Sequence, residues 1–134
     1  MTKSAQGGAK DFPTILLVDD EEDILIAIAK MLKSEGYDVH AFEHSIKALQ
    51  HIKEENCQKC GFVVCDIKMA ELSGFELTRQ LKQLRPAMKV LLMSAFVIEK
   101  REFNKVLPSI KADGFIAKPF SKQELLEAVR ALLT

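Results

Sequence analysis

TILLVDDEEDILIAIAKMLKSEG, residues 14–36, is the stretch on which the fold turns. Thr14 to Val18 is a short, almost wholly apolar run, which is how a strand buried on both faces reads. It breaks at Asp19-Asp20, and then Ile24, Leu25, Ile28, Met31 and Leu32 recur every three or four positions, the stripe of an amphipathic helix. Gly36 is a natural cap for the end of that helix. A strand, a polar break and an amphipathic helix make one β/α unit.

The same alternation continues to the end of the chain. Further strands are predicted at Asp38 to Phe42, Phe62 to Cys65, Lys89 to Met93 and Gly114 to Ala117. Ile46, Leu49 and Ile52 mark a second helix, and Leu77, Leu81 and Leu84 a third, stopped by Pro86. Phe103, Val106 and Leu107 give a fourth that ends at or before Pro108. The last helix opens on a capping box, Ser121 with Glu124, and buries Leu125, Leu126, Val129 and Leu132. Five such units predict an α/β fold with a parallel sheet. Residues 1–11 are small and polar, with Gly7-Gly8 and no apolar period, and read as a flexible tail; residues 12–134 read as one domain.

Bulk composition narrows the function classes. The 134 residues are 48% hydrophobic and 28% charged, the balance of a folded globular protein. Nineteen basic and nineteen acidic residues cancel, and no Lys/Arg run forms a basic arm, so direct nucleic-acid binding is not expected. No apolar run is long enough to span a bilayer and the N-terminus lacks the apolar core of a signal peptide, so a cytoplasmic protein without membrane contact is expected. Cys57, Cys60 and Cys65 are an odd set without framework spacing, and reduced thiols are expected.

Four of the five strands run directly into a polar residue: Val18 into Asp19-Asp20, Cys65 into Asp66, Met93 into Ser94, Ala117 into Lys118. Open α/β sheets bind ligands beyond the carboxyl ends of their strands, so these residues are placed to converge. Three clustered carboxylates repel one another unless a cation sits among them, and an all-oxygen donor set suits a hard ion such as Mg²⁺. A carboxylate nucleophile, a divalent ion, a lysine and a hydroxyl donor are the parts needed for phosphoryl transfer to aspartate.

LLVDDEEDIL, VVCDIKMAELSGFEL, VLLMSA and FIAKPFS, in that order, resemble the signature segments of response-regulator receiver domains, and the resemblance covers nearly everything after Phe12. It implies a doubly wound, flavodoxin-like (βα)5 fold with strand order 2-1-3-4-5. It makes Asp66 the phosphoacceptor, Asp20 the main Mg²⁺ ligand, Asp19 a ligand held mostly through water, and Lys68 a ligand through its backbone carbonyl. Ser94 would hydrogen-bond the acyl phosphate, Ala95 would be the small neighbour that admits it, Lys118 would pair with its oxygens, and Phe115 matches the switch aromatic. Lys118-Pro119 resembles the family's cis peptide. The implied partners are a histidine kinase or phosphotransfer protein as donor and a downstream protein as output, with the chain a monomer or weak dimer. Its chemistry would be its own phosphorylation and slow self-catalysed hydrolysis, not enzyme turnover on a separate substrate. The chain is expected to be a stand-alone receiver or one excised from a longer regulator.

Departures from the family pattern are local. Ala70 stands where receivers commonly carry proline, while Lys68 and Phe96 occupy the variable positions at the mouth of the site that govern water access. Lys68 is expected to pair with the phosphoryl group or Asp19, and Phe96 to shield the acyl phosphate. The 24-position interval from Ser94 to Lys118 is slightly long for the family. Rival readings are a pseudo-receiver that binds partners without phosphorylation and a Mg²⁺-dependent aspartyl phosphatase. A flavin or nucleotide domain is the third, although no glycine-rich loop follows Val18. Cys57-Gln58-Lys59-Cys60-Gly61 resembles half of a zinc knuckle, which a second protomer could complete. His40, His44 and His51 could supply nitrogen ligands but are better read as polar residues of the second unit.

Overall fold

The computed structural model describes residues 12–95 and 112–133. Five strands, β1 (Thr14–Val18), β2 (Val39–Phe42), β3 (Cys60–Asp66), β4 (Lys89–Ser94) and β5 (Gly114–Ala117), form one parallel sheet in the order β2-β1-β3-β4-β5. Among the described residues four helices cover it: α1 (Glu22–Lys33), α2 (Ser45–Lys53), α3 (Gly74–Leu84) and α4 (Lys122–Leu133). None of them is long and apolar enough to cross a membrane. The expected N-terminal tail, the helix on Phe103, Val106 and Leu107, and Phe96 lie outside the described residues.

Period-two alternation along β1 explains the two-sided core. Ile15 and Leu17 face one layer, where they meet Leu25, Ile28 and Leu32 of α1 and Leu125 and Val129 of α4. Leu16 and Val18 face the other, against Ala48 and Ile52 of α2 and Leu77 and Leu81 of α3. Every β1 residue is buried, and β3 and β4 are nearly so. Each fully buried Leu, Ile or Val contributes about 1.5–3 kcal/mol of transfer free energy. β2 and β5 are only partly covered because they are the sheet's edges.

Two helical stripes also differ from expectation. Ile46 is 42% exposed, and the inward face of α2 is Ser45, Ala48 and Ile52. Ser45 faces inward because its hydroxyl accepts the Leu72 amide at 2.8 Å, tying α2 to the β3–α3 loop. Leu84 is 44% exposed because α3 ends there, with Arg85 already out of helical geometry ahead of Pro86. The capping box of α4 is present in both directions, Ser121 N to Glu124 Oε1 at 2.8 Å and Glu124 N to Ser121 Oγ at 3.0 Å.

Gly74 fixes how closely α3 approaches the end of β3. Its amide donates to Ile67 O at 2.7 Å, and a Cβ placed there would sit 2.3 Å from Asp66 O and 2.8 Å from Ile67 Cα. Both neighbours are backbone atoms, so relief requires moving the strand end that carries Asp66. Gly74→Ala is therefore expected to destabilise the protein by about 2–3 kcal/mol, read as a lowered urea midpoint. An unchanged midpoint would show that the loop yields without cost.

Candidate functional site

Parallel pairing sets the strand ends level with one another. Val18 is in register with Cys65, Asp66 with Met93, and Ser94 with Ala117, so Asp19, Asp66, Ser94 and Lys118 emerge along one edge of the sheet. Backbone bonds continue beyond the strands and fix the loops: Ile67 N donates to Met93 O at 2.9 Å and Lys118 N to Ser94 O at 2.7 Å. The Lys118-Pro119 peptide is cis, as the sequence resemblance implied.

Asp19 is fully buried, Asp66 is 6% exposed and Ser94 is 1% exposed. Lys118 Nζ lies 2.6 Å from Asp19 Oδ2 and 3.5 Å from Asp66 Oδ1, so one ammonium bridges two carboxylates. The second Asp19 oxygen accepts the Glu21 amide at 3.0 Å. Asp20 is exposed, and its Oδ2 accepts the Ala70 amide at 3.1 Å. A proline at position 70 would have no N–H to give, so the departure noted in the sequence supplies Asp20 with a donor. Glu21, Asp66, Lys68, Ser94, Ala95 and Lys118 line a small cleft of about 120 Å³.

Burial pushes the Asp66 carboxyl above its ordinary value; Lys118 opposes that rise, the Asp19 charge adds to it, and the Ile67 amide opposes it. For Lys118 burial acts downward, and the contacts with Asp19 and Asp66 outweigh it to leave the ammonium held more firmly than usual. One carboxylate oxygen from each of Asp19, Asp20 and Asp66 falls within 4.8 Å of the others. Three carboxylates against one bridging ammonium leave an excess of negative charge in a partly dry site, and the donors are all oxygen. This set fits a hard divalent ion such as Mg²⁺.

The structure thus brings together Asp19, Asp20, Asp66, Lys68, Ser94, Ala95 and Lys118, as expected from sequence. Lys118 supplies a cation against Asp19. Phe115 sits one strand over, in register with Leu92 and packed against the α2–α3 layer. Glu21 also lines the cleft; its position directly after the aspartate pair was the available signal. Cys65 lies next to Asp66, but burial pushes its thiol up and keeps it protonated.

Comparison with known proteins agrees with this geometry. Residues 15–130 match the response regulator receiver domain family. The transcriptional regulatory protein CreB of Escherichia coli (strain K12) is 37% identical over 121 residues, an alignment spanning 90% of this chain and 50% of CreB, so the chain spans about half the length of that relative. A receiver domain protein from Methanospirillum hungatei JF-1 superposes with a TM-score of 0.81 at 29% identity, covering 92% of this chain and 94% of that one. Response regulator TrrA of Thermotoga maritima, solved in complex with Mg²⁺-BeF, gives 0.77 at 29% identity, with 91% and 100% covered. With a family match across most of its length and the strand-end carboxylates and lysine in one cleft, the chain belongs to the response regulator receiver domains, the phosphorylatable switches of two-component systems.

Proposed function

We propose that Asp66 accepts a phosphoryl group from a phosphohistidine on a histidine kinase or phosphotransfer protein, and that the product alters the surface offered to a downstream protein. The observation that carries this reading is the placement of the Asp66 carboxylate at the cleft that Lys118, Ser94 and Ala95 also line, with Lys118 Nζ 3.5 Å away. Asp19, Asp20, Asp66 and the Lys68 carbonyl would hold Mg²⁺. When bound, that ion supplies charge neutralisation for the phosphoryl oxygens.

In the reaction an Asp66 carboxylate oxygen attacks phosphorus, the bond from phosphorus to the imidazole nitrogen breaks, and an acyl phosphate remains. Asp66 must be ionised to attack, and the Lys118 charge and the Ile67 amide favour that form against the cost of burial. Lys118 then pairs with the arriving phosphoryl oxygens. Ser94 donates to the acyl phosphate and Phe115 turns inward with it, coupling charge at the cleft to the β5–α4 surface. Lys68, which lines the cleft, governs water access, and hence how long the acyl phosphate persists.

Incubation with acetyl phosphate and Mg²⁺ is expected to add one phosphate by intact mass, with no gain in Asp66→Ala or without Mg²⁺. No gain under conditions that phosphorylate another receiver would make the chain an interaction module instead.

Stability gives an independent check of the charge balance. Asp66→Asn removes one of the crowded carboxylates and is expected to stabilise the Mg²⁺-free protein. Because the folded-state pKa of Asp66 is raised, native wild type binds more protons than unfolded and loses stability as pH rises from the ordinary value of 3.8. The variant's advantage should therefore grow upward from that pH and level off above the folded-state pKa. Lys118→Ala has the opposite sign, a loss of roughly 3 kcal/mol, because it leaves buried carboxylates unpaired. Urea unfolding across pH would read both effects, and a destabilised Asp66→Asn would contradict the balance described.

A further inference from the structure

A second group of ligand atoms lies away from the Asp66 cleft. His40 of β2, His51 of α2, Cys57 of the following loop and Cys60 at the start of β3 place one ligand atom each within 4.8 Å of all the others. His40 Nδ1 is 2.8 Å from His51 Nε2, 3.8 Å from Cys57 Sγ and 3.6 Å from Cys60 Sγ, and the two sulfurs are 2.9 Å apart. Tetrahedral zinc with bonds of about 2.0–2.3 Å separates its ligand atoms by roughly 3.3–3.8 Å. The sulfur–nitrogen distances already lie near that range, and the two shorter ones need an opening of under about 1 Å. Both cysteines are free thiols.

Outward-facing atoms argue for a ligand set rather than a chance polar cluster. His51 Nδ1, the nitrogen turned away from the cluster, meets Glu55 Oε1 at 2.7 Å, and His40 Nε2 lies 3.9 Å from Asp38 Oδ2. A carboxylate behind the outer nitrogen is the usual means of fixing the tautomer of a metal-bound imidazole. The loop is shaped in advance: Asn56 adopts a left-handed φ of 54°, Cys57 N donates to His51 O, and Arg85 from the end of α3 donates to the carbonyl oxygens of Cys57 and Cys60. Cys60 is buried while His40, His51 and Cys57 are partly exposed, which leaves a route for an ion to enter.

We propose that His40, His51, Cys57 and Cys60 form an intrachain zinc site that clamps edge strand β2 and helix α2 to β3. Two imidazoles and two thiolates in a closed four-ligand set favour a borderline-soft, tetrahedral ion, and leave no open position for catalysis. This differs from the preferred reading from sequence, in which a second protomer could complete the cysteine pair and the histidines were polar residues of the second unit. Cys60 and Asp66 sit at opposite ends of β3, roughly 20 Å apart at strand rise, so the site does not share ligands with the phosphorylation cleft.

The test is titration of the reduced, metal-stripped full chain with Zn²⁺ and Co²⁺ in excess Mg²⁺, so that the carboxylate cluster does not compete. One equivalent per chain is expected, with no change in oligomeric state, and Co²⁺ should give thiolate charge-transfer and tetrahedral d–d absorption. Zn²⁺ at a hundredfold excess over its Kd should raise Tm by about 10 °C. Cys57→Ser should abolish the cobalt spectrum, His51→Gln should shift and weaken it, and exposed Glu55→Gln should lower affinity by about 10-fold or more. Absence of the cobalt bands in the wild type, survival of binding in Cys57→Ser, or half an equivalent bound with dimer formation would each overturn the proposal. So would a Cys57–Cys60 disulfide, seen as a mass loss of two hydrogens, as the only change the pair undergoes. None of these readouts depends on phosphorylation, so the zinc site and the Asp66 reading stand or fall separately.

Discussion

Crowding of like charge at the carboxyl edge of the sheet is the constraint to which the rest of the molecule answers. Asp19 is wholly buried and Asp66 nearly so, and two carboxylates in that position are tolerable only because Lys118 reaches both. The lysine can do this because β5 brings position 118 level with Ser94, two strands from the first aspartate pair. Asp20, turned to solvent and held by the Ala70 amide, adds a third carboxylate without a further burial cost.

Such a site needs a rigid frame, and the sheet provides it. β1 and β3 are neighbours at the centre, buried on both faces, so the strand ends that carry the aspartates have almost no freedom to move apart. The close approach at Gly74 seats the start of α3 directly on the Asp66 backbone. At the edge of the sheet, by contrast, β5 is only partly covered, with Phe115 in register with Leu92 of β4.

The same sheet separates two chemistries. Oxygen donors gather where β1 and β3 end, while imidazoles and thiols gather around the start of β3 and the edge strand β2. Hard and soft ligands are thus kept apart by the length of a buried strand, and an ion suited to one set is poorly suited to the other.

By itself the sequence determined the local elements and the strand-end site. β1 and β5 fall on Thr14–Val18 and Gly114–Ala117 as read from their apolar runs, and Asp19, Asp66, Ser94 and Lys118 were legible because each directly follows an apolar run. Periodicity is a property of neighbouring residues, and a parallel sheet turns every strand end to the same edge, so the local pattern sufficed. Tertiary structure alone decided which side of α2 turns inward, where Leu84 points, and that His40 and His51 join Cys57 and Cys60. Those four residues follow no repeating interval in the chain and meet only because β2, α2 and β3 pack around one point, an arrangement that long-range packing, not residue spacing, creates.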